Sequence, residues 1–400
     1  MTKGRGESMF YQEKLLFAGT TEHNYRIPSL VAAKDGTILA FCNDRKTTLI
    51  DHAENTALVC ARKKAGQEWE EVYAITDIPG WTCMLGSALY DRDTDTVFCS
   101  AERVIPRDEF GTYTDEEIRA LQEKMRAESE RQGVLCGQIL FKTRDGGDTW
   151  AEETMQIRQR DFVTADGKTM QIGGACHGSA HGIQLRHGAH KGRLLCPSRI
   201  FTGRYSTWDE AIRCCYNNSV FSDDHGRTWQ ASSPVQQGTG EGTLIERCDG
   251  SILYNSRGMF RNQKRYLAAS YDGGETYGEF REDDFLYEEK SIGCNASFLQ
   301  VEKEDLPELP QGVQAITLFA NPRAEKRENM TVCVSFDEGA TWPRTKTIWA
   351  GGSAYSSLDY DPVSRHFFLL YEKGETAENP YQYGLAVAEF DLQWLLQTEE

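Results

Sequence analysis

The octapeptide Ser335-Phe-Asp337-Glu-Gly339-Ala-Thr341-Trp342 decides the predicted fold, because its pattern occurs four times along the chain. A hydroxyl residue, Asp, Gly, Thr and an aromatic residue keep the same offsets in residues 143–150, 222–229 and 270–277. The Asp can accept backbone hydrogen bonds, the Gly supplies a positive φ, and the aromatic ring can pack on a sheet. Each copy is therefore predicted to form a hairpin turn between antiparallel strands. Residues 62–69 resemble an incomplete fifth copy in which Lys64 replaces the Asp.

The spacing of these turns favours a propeller. Successive Asp residues of the motif are 79, 48 and 65 positions apart. A constant turn at variable spacing is typical of propeller blades, whose connecting loops differ in length, whereas a solenoid keeps a stricter period. A chain of 400 residues would otherwise suggest two or three domains. We predict instead an all-β chain that forms one propeller domain over residues 1–400.

The composition excludes some partners. The net charge is −17, so nucleic acid and anionic membranes are poor candidates, and an anionic substrate would need a local cluster of Arg. No apolar run approaches the roughly 20 residues that span a bilayer. Residues 1–12 lack the apolar core of a secretory signal. We therefore expect the 12 cysteines to be reduced thiols and the protein to be cytoplasmic, or secreted if a leader has been removed.

Two segments add to the predicted architecture. Residues 384–392 form a long alternating stretch, which is expected to close the ring by pairing with an N-terminal strand. Between residues 106 and 132 the alternation stops, and Thr114-Asp-Glu-Glu117 has the pattern of a capping box before helical apolar spacing. The sequence therefore predicts an amphipathic helix inserted in a loop. A solvated helix at the rim is the simplest interpretation, and a partial lid or an assembly surface is the alternative.

Three Arg residues lie beside predicted strands in different parts of the chain: Arg26 in Tyr-Arg-Ile-Pro, Arg257 in Asn-Ser-Arg-Gly, and Arg327 before Glu-Asn-Met-Thr. The inner strands of a propeller converge on one axis, so these three guanidiniums can meet. Guanidiniums bind carboxylates bidentately and keep their charge at any physiological pH. Their convergence would therefore indicate a site for an anionic ligand.

The Tyr25-Arg26-Ile27-Pro28 segment, the four octapeptides and the order of the Arg segments together resemble the exo-α-sialidases (neuraminidases), in which such octapeptides are called Asp-boxes. The resemblance covers nearly the whole chain, and the insert near 106–132 is the main departure. It implies a six-bladed β-propeller that hydrolyses terminal α-linked sialic acids with retention. It also implies that Arg26, Arg257 and Arg327 bind the substrate carboxylate, with Arg323 as a less favoured choice for the third position.

The same resemblance implies the catalytic groups: Tyr355 as nucleophile, Glu241 as the base that activates it, and Asp51 as the acid and base. A phenol with a pKa near ~10 needs such a base. An uncharged nucleophile also avoids repulsion by the carboxylate on the anomeric carbon, and Tyr-nucleophile sialidases are a recognised exception to the two-carboxylate scheme. Glu372 would orient Arg26, and Arg45 would contact the substrate or support the pocket from behind.

Sialylated glycans, glycoproteins or glycolipids are the partners that this resemblance implies, without a cofactor or a metal. His177 and His181 lie four positions apart but lack a nearby third ligand, so a zinc site is not expected. Trp81, Trp208 and Phe260 are candidates for acceptor contacts. The acidic pairs Asp283-Asp284 and Glu288-Glu289 are predicted to lie in solvated loops.

Three alternatives stay open at this point. A lectin-like propeller would bind sialic acid through the Arg residues without cleaving it. A glycosidase for neutral polysaccharides would share the octapeptide turns but use paired carboxylates. A trans-sialidase, or an enzyme that prefers deaminated sialic acid (Kdn), would keep both the fold and the catalytic groups. The oligomeric state is also left open.

Overall fold

Short strands with buried Val, Leu, Ile and Phe side chains pair into antiparallel sheets throughout the chain. The computed structural model describes residues 9–107, 113–164, 167–174, 181–203, 205 and 207–397. Three sheets have four strands each in this part of the chain. The first contains β2 (Tyr25–Ala32), β3 (Ile38–Asp44), β4 (Ala57–Lys63) and β5 (Tyr73–Thr76). The second contains β6 (Thr82–Asp91), β7 (Thr96–Val104), β8 (Gly137–Thr143) and β9 (Ala151–Thr154). The third contains β17 (Thr239–Glu246), β18 (Ile252–Gly258), β19 (Lys264–Ser270) and β20 (Gly278–Tyr287).

A larger sheet and a small ribbon lie between the second and third of these sheets in the sequence. The five-stranded sheet has the order β10-β16-β15-β14-β13, and the ribbon pairs β11 with β12. Their bounds are β10 (Ile157–Arg158), β11 (Arg160–Val163), β12 (Thr169–Ile172), β13 (Ile183–Gln184), β14 (Leu194–Phe201), β15 (Cys215–Ser222) and β16 (Trp229–Ala231). The β10–β16 pair is parallel, whereas the other pairs of this sheet are antiparallel.

The seven-stranded sheet joins both ends of the chain, in the order β1-β26-β25-β24-β23-β22-β21. Its strands are β1 (Tyr11–Ala18), β21 (Ser297–Glu302), β22 (Ala315–Pro322), β23 (Glu328–Ser335), β24 (Arg344–Asp361), β25 (His366–Lys373) and β26 (Gly384–Phe390). The first half of β24 pairs with β23 up to Gly352, and the second half pairs with β25 from Ser353 onward. The pairing of β26 with β1 confirms the closing contact predicted from the sequence.

Strands from all parts of the chain contact one another in a closed series. Strand β2 contacts β6, β6 contacts β13 and β14, and these contact β17. Strand β17 contacts β21, β21 contacts β24, and β24 returns to β2. The result is an all-β, propeller-like arrangement in which inner strands surround one axis. Apolar clusters fill the spaces between neighbouring sheets, such as the cluster that joins Val31 and Phe41 to Leu85 and Cys99.

Each of the four octapeptides connects two adjacent antiparallel strands: β8 and β9, β15 and β16, β19 and β20, or β23 and β24. In the copy that ends with Trp342, Asp337 accepts hydrogen bonds from the backbone N–H of Thr341 at 2.8 Å and from the Thr341 hydroxyl at 2.6 Å. The Ser335 hydroxyl accepts the N–H of Gly339, whose φ is +84°. Because L side chains rarely adopt this φ, a glycine is favoured at that position.

The aromatic residues that end these turns pack against the preceding sheet. Trp150 meets Phe41 edge-on at a centroid distance of 5.8 Å, and Trp229 meets Phe98 at 6.4 Å. Trp342 belongs to a cluster that includes Leu253 of the preceding sheet. These turns therefore close hairpins and also fill the seams between sheets.

Three α-helices and one 3-10 helix are described. The longest, α1 (Asp115–Gln132), begins after the N-cap Thr114, whose capping box with Glu117 confirms the predicted helix start. No α1 residue is buried, in agreement with a solvated helix. The others are α2 (Trp208–Cys214), α3 (Leu392–Leu396) and the 3-10 helix Gly188–His190. In the described residues, none of the helices has the length and apolar character needed to cross a membrane. Eleven cysteines in this part of the chain are free thiols.

Candidate active site

Three guanidiniums from distant strands surround the ring of Tyr355, which lies in β24. The Cζ atoms of Arg26, Arg257 and Arg327 are 5.6, 5.9 and 5.5 Å from the ring centroid. Arg26 lies in β2, Arg257 in β18, and Arg327 directly before β23. The side chains of Arg26 and Arg257 are buried, and that of Arg327 is 15% exposed. The structure thus brings the three predicted Arg residues together at one point.

The choice between Arg327 and Arg323 is decided by what each side chain contacts. Arg323 stacks on the ring of Phe285 with its Cζ 4.4 Å from the centroid, and it donates to the Phe285 carbonyl at 2.9 Å. These contacts occupy a different part of the surface. Arg327 is therefore the member of this segment that joins the cluster.

Two of the predicted catalytic groups, Tyr355 and Glu241, contact each other directly. The Tyr355 hydroxyl lies 2.8 Å from both Glu241 carboxylate oxygens and donates to them. Arg257 Nη1 donates to the Tyr355 oxygen at 2.7 Å and also forms a close ion pair with Glu241. The phenol is therefore held between a carboxylate that can accept its proton and a cation that can stabilise the oxygen's negative charge.

The environment of this pair separates the two pKa values. Burial raises the pKa of the Tyr355 phenol well above its usual value, although the positive charges of Arg257 and Arg327 act in the opposite direction. Burial also acts to raise the pKa of Glu241. The charges of Arg257 and Arg199 and the hydrogen bond from Tyr355 outweigh that effect, so the pKa of Glu241 lies below its usual value. At neutral pH the proton resides on the phenol and Glu241 is a carboxylate.

Glu372 in β25 binds Arg26 from behind. Arg26 Nε donates to one carboxylate oxygen at 2.5 Å, and Nη2 donates to the other at 3.3 Å. The Tyr355 backbone N–H also donates to Glu372, at 3.0 Å. Tyr381 stacks on the Arg26 guanidinium at 4.0 Å. A single buried carboxylate therefore positions one cation of the cluster and the backbone of Tyr355.

The backbone around Arg26 is strained. Strand β2 includes the whole Tyr25–Pro28 segment, and its register with β3 shifts between Arg26 and Ser29. Ile27 has a φ of +64°, a conformation that is exceptional for a β-branched residue. Its N–H donates to Glu372 at 2.9 Å. Such strain costs about 1–3 kcal/mol and often marks functional sites, and here the bulge accompanies the turn of Arg26 toward Tyr355.

Asp51 lies on the loop after β3 and is 41% exposed. It forms an ion pair with Arg45, and its negative charge also acts on Arg26. Arg45 is fully buried and donates to the Leu49 carbonyl at 2.7 Å. Arg45 therefore contacts the loop that carries Asp51, and its contact with the substrate stays a prediction.

Glu288 and Glu289 correct the sequence analysis. Both were predicted to lie in a solvated loop, yet each is only 2% exposed. They begin a turn that contacts Arg257 and Arg327 through its carbonyl groups. The side chain of Asp284 is 94% exposed, as predicted, but this residue lies in strand β20 and not in a loop. An acidic pair carries no sequence signal for burial, because its partners come from other strands.

The aromatic residues predicted to contact an acceptor have different environments. Trp81 is 1% exposed and donates to Gln132 at the end of α1, so that prediction is wrong. Phe260 is 38% exposed and packs on Tyr266 and on the backbone of Gly238, three residues before Glu241. The side chain of Trp208 lies outside the described residues.

The described residues contain one group of possible metal ligands. Asp91, Asp93 and His225 bring ligand atoms within 4.8 Å of one another. Asp91 is already saturated, because it accepts hydrogen bonds from Thr94, Gln184 and the Asp93 N–H and pairs with His225. His181 is buried next to Asp359 and is not part of this group, and His177 lies outside the described residues.

Comparison with known proteins agrees with this fold. A sequence model of the BNR repeat-like domain family matches residues 115–365, more than half of the chain. A sialidase of Micromonospora viridifaciens is 31% identical over 398 residues, which cover 98% of this chain and 55% of that protein. The chain thus spans about half the length of this relative.

Solved structures share the fold at lower sequence identity. The Hadza microbial sialidase Hz136 aligns with a TM-score of 0.69 at 22% identity, over 93% of this chain and 66% of that one. The intramolecular trans-sialidase from Ruminococcus gnavus, in complex with oseltamivir carboxylate, aligns with a TM-score of 0.66 at 16% identity, over 98% of this chain and 99% of that one. At these identities the structural likeness concerns the fold alone. From the family match, the chain belongs to the BNR repeat-like domain family.

Proposed function

We propose that this protein is a retaining exo-α-sialidase that removes terminal α-ketosidically linked sialic acids from glycoconjugates. The observation that carries the proposal is the position of the Tyr355 hydroxyl between Glu241 and Arg257, beside two further guanidiniums. A tyrosine with a neighbouring base is a suitable nucleophile for an anomeric carbon that already bears a carboxylate.

The arginine cluster, defined as Arg26, Arg257 and Arg327, would bind the carboxylate of the substrate. Three buried or largely buried guanidiniums form a site in which an anion interacts more strongly than it would in water. The carboxylate of a sialic acid is attached to the anomeric carbon. Its capture by the cluster therefore brings that carbon close to the Tyr355 hydroxyl.

In the first half of the proposed reaction, the Tyr355 oxygen attacks the anomeric carbon and its proton passes to Glu241. The bond to the leaving oxygen breaks, and Asp51 donates the proton that this oxygen needs. The product is a covalent tyrosyl glycoside. Arg257 donates to the Tyr355 oxygen and so stabilises the negative charge that develops there.

In the second half, Asp51 accepts a proton from a water molecule that attacks the anomeric carbon on the face left by the aglycone. The bond to Tyr355 breaks, and the phenolate recovers its proton from Glu241. Each half inverts the configuration, so the released sugar keeps the α configuration of the substrate.

The site belongs, in our proposal, to a propeller of six blades. The closed series of contacts through β2, β6, β14, β17, β21 and β24 supports this number, with one inner strand for each blade. The seven-stranded sheet would then comprise two blades joined by the long strand β24, whose halves pair with different partners.

Product analysis by proton NMR tests the function directly. Purified protein is incubated with a defined sialyl trisaccharide, and the spectrum is followed from the first minutes. Free sialic acid that appears first as the α-anomer supports retention and hydrolysis. The β-anomer as first product would exclude a tyrosyl intermediate, and binding without release would favour a lectin. An anhydro or transferred product would instead assign the site to a trans-sialidase.

A further inference from the structure

The turn formed by residues 288–294, between β20 and β21, contacts two members of the arginine cluster. The Ile292 carbonyl accepts hydrogen bonds from Arg257 Nε at 3.0 Å and Nη2 at 2.8 Å. The adjacent Gly293 carbonyl accepts one from Arg327 Nη2 at 2.9 Å. Two neighbouring carbonyl groups therefore fix the directions of two guanidiniums.

A buried ion pair holds the C-terminal end of this turn. Glu288 accepts the Cys294 N–H at 2.6 Å and Arg265 Nη1 at 2.5 Å. Arg265 Nη1 also donates to the Cys294 carbonyl at 2.9 Å. The side chains of Arg265 and Glu288 are 0% and 3% exposed. The pair thus binds both polar groups of the Cys294 backbone, next to the carbonyl that receives Arg327.

Glu289 closes the centre of the turn and also lies near a guanidinium. Its carboxylate accepts the N–H groups of Ser291 at 2.8 Å and Ile292 at 3.0 Å. One of its oxygens is 3.8 Å from Arg327 Nε. Because three like charges in the cluster repel one another, a fixed negative charge behind them opposes their separation.

The turn packs closely against Arg257 and leaves no room for a side chain at Gly293. Gly293 has a φ of +72°, and an added Cβ would lie 3.0 Å from Arg257 Cγ and 3.2 Å from the Glu288 carboxyl carbon. Because the Gly293 backbone packs this closely against the Arg257 side chain, it can define the orientation of the Arg257 guanidinium.

We propose that Glu289 and the Arg265–Glu288 pair are positioning residues for binding of the substrate carboxylate, and that they act through Arg257 and Arg327. The inference rests on the proposed function of the site, and it adds residues that do not touch the substrate. Preorganised cations lose little freedom when the anion binds, so loss of this support weakens binding before it slows the chemical steps.

The principal test is Glu289→Gln, which keeps an acceptor for one of the two N–H groups and removes the charge beside Arg327. We expect KM for an aryl sialoside to rise about tenfold and kcat to change less than about threefold. The inhibition constant of 2-deoxy-2,3-dehydro-N-acetylneuraminic acid should rise by the same factor as KM.

Glu246→Gln is the matched control. Glu246 is also a buried carboxylate that accepts two backbone N–H groups, those of Arg186 and His187, but it lies at the far end of β17 from Glu241. We expect wild-type KM for this variant. An unchanged KM in Glu289→Gln, or an equal rise in the control, would overturn the proposal.

A second measurement does not depend on sialidase activity. In protein labelled with 15N-arginine, the Nε–H resonances of Arg257 and Arg327 can be assigned with Arg257→Lys and Arg327→Lys. We expect Glu289→Gln to shift the Arg327 resonance and to speed its exchange with water, and Glu246→Gln to leave it unchanged. If Glu289→Gln does not fold, Gly293→Ala keeps every carboxylate and should shift the Arg257 resonance.

The two measurements separate the two proposals. Unchanged resonances would overturn the positioning role even if the wild-type protein hydrolyses sialosides. If the wild-type protein shows no hydrolysis but Glu289→Gln shifts the Arg327 resonance, the positioning role is supported and only the proposed function is overturned.

Discussion

Glu372 accepts a hydrogen bond from Arg26 Nε at 2.5 Å, although the two residues are 346 positions apart in the chain. The same carboxylate accepts the backbone N–H groups of Ile27 and Tyr355. Strand β25, which carries Glu372, pairs with β26, and β26 pairs with β1. Closure of the chain and assembly of the site therefore depend on the same group of strands.

The first prediction concerns this carboxylate. Glu372→Gln leaves the buried Arg26 without a full counter-charge, and we expect the free energy of unfolding to fall by about 3 kcal/mol. We also expect kcat/KM for an aryl sialoside to fall more than about 100-fold, because Arg26 and the Tyr355 backbone both lose their support. Urea unfolding and steady-state kinetics measure the two effects.

Glu389→Gln serves as the control for this prediction. Glu389 is buried and binds His366 and Gln12 in the same sheet, and within the described part of the chain it binds no member of the arginine cluster. It should lose stability while kcat/KM stays near the wild-type value. An equal loss of kcat/KM in both variants would contradict the specific role of Glu372.

The second prediction is that Tyr355→Phe loses at least about 1,000-fold in kcat, since the phenol oxygen is the group that forms the new bond. The ring remains, so the cations around it keep their packing partner. An aryl sialoside provides a continuous assay, and circular dichroism checks the fold.

Tyr254→Phe is the control, because it also removes the hydroxyl group of a buried tyrosine. The Tyr254 hydroxyl is buried and donates to the Asn218 carbonyl at 2.9 Å. Its removal should cost about 1 kcal/mol of stability and leave kcat unchanged. Turnover near wild type in Tyr355→Phe would refute the assignment of the nucleophile.

The third prediction uses the lowered pKa of Glu241. Burial opposes ionisation of this carboxyl, but Arg257, Arg199 and the Tyr355 hydroxyl together favour it more strongly. The base must be ionised to accept the phenol proton. We therefore expect kcat/KM for a 4-nitrophenyl sialoside to remain level as pH falls from 7 to the ordinary Glu pKa of about 4.3, and to decline only below it. An acid limb centred near pH 6 would contradict this assignment.

Stability should depend on the same group. Because the folded pKa of Glu241 lies below its unfolded value, the carboxylate contributes stability above about pH 4.3, and this contribution is lost as pH falls through the folded pKa. The difference in unfolding free energy between wild type and Glu241→Gln should be constant above pH 5 or so and shrink in more acidic buffer. A difference that grows toward low pH would reverse the sign of the argument.

Local signals in the sequence explain why several elements could be predicted. The capping box at Thr114 and Glu117 depends only on neighbouring residues, and it marks the observed start of α1. The Arg residues beside strands also have a local signal, since Arg is unusual at a buried strand position. Their grouping around Tyr355 could be anticipated because inner strands of a propeller share one axis.

Other features depend on partners that no short segment contains. Glu288 is buried because Arg265 and the Cys294 backbone compensate its charge. Trp81 is buried beneath the end of α1, an insert whose docking the sequence does not specify. The positive φ of Ile27 needs the acceptor supplied by Glu372. In each case burial or strain is tolerated only through a contact formed by the complete fold.

The last prediction concerns the octapeptide turns. Asp337→Ala removes the acceptor for the Ser335 hydroxyl and for the Thr341 N–H and hydroxyl, so we expect a loss of about 2 kcal/mol in unfolding free energy. KM and kcat should not change, because this turn precedes β24 and Tyr355 lies in the second half of that strand. Asp284→Ala is the control, since its ion pair with Lys264 is exposed to solvent and should contribute much less to stability. An equal loss in both variants would mean that the motif Asp has no special structural role, and a change in KM would mean that the turn and the site are coupled.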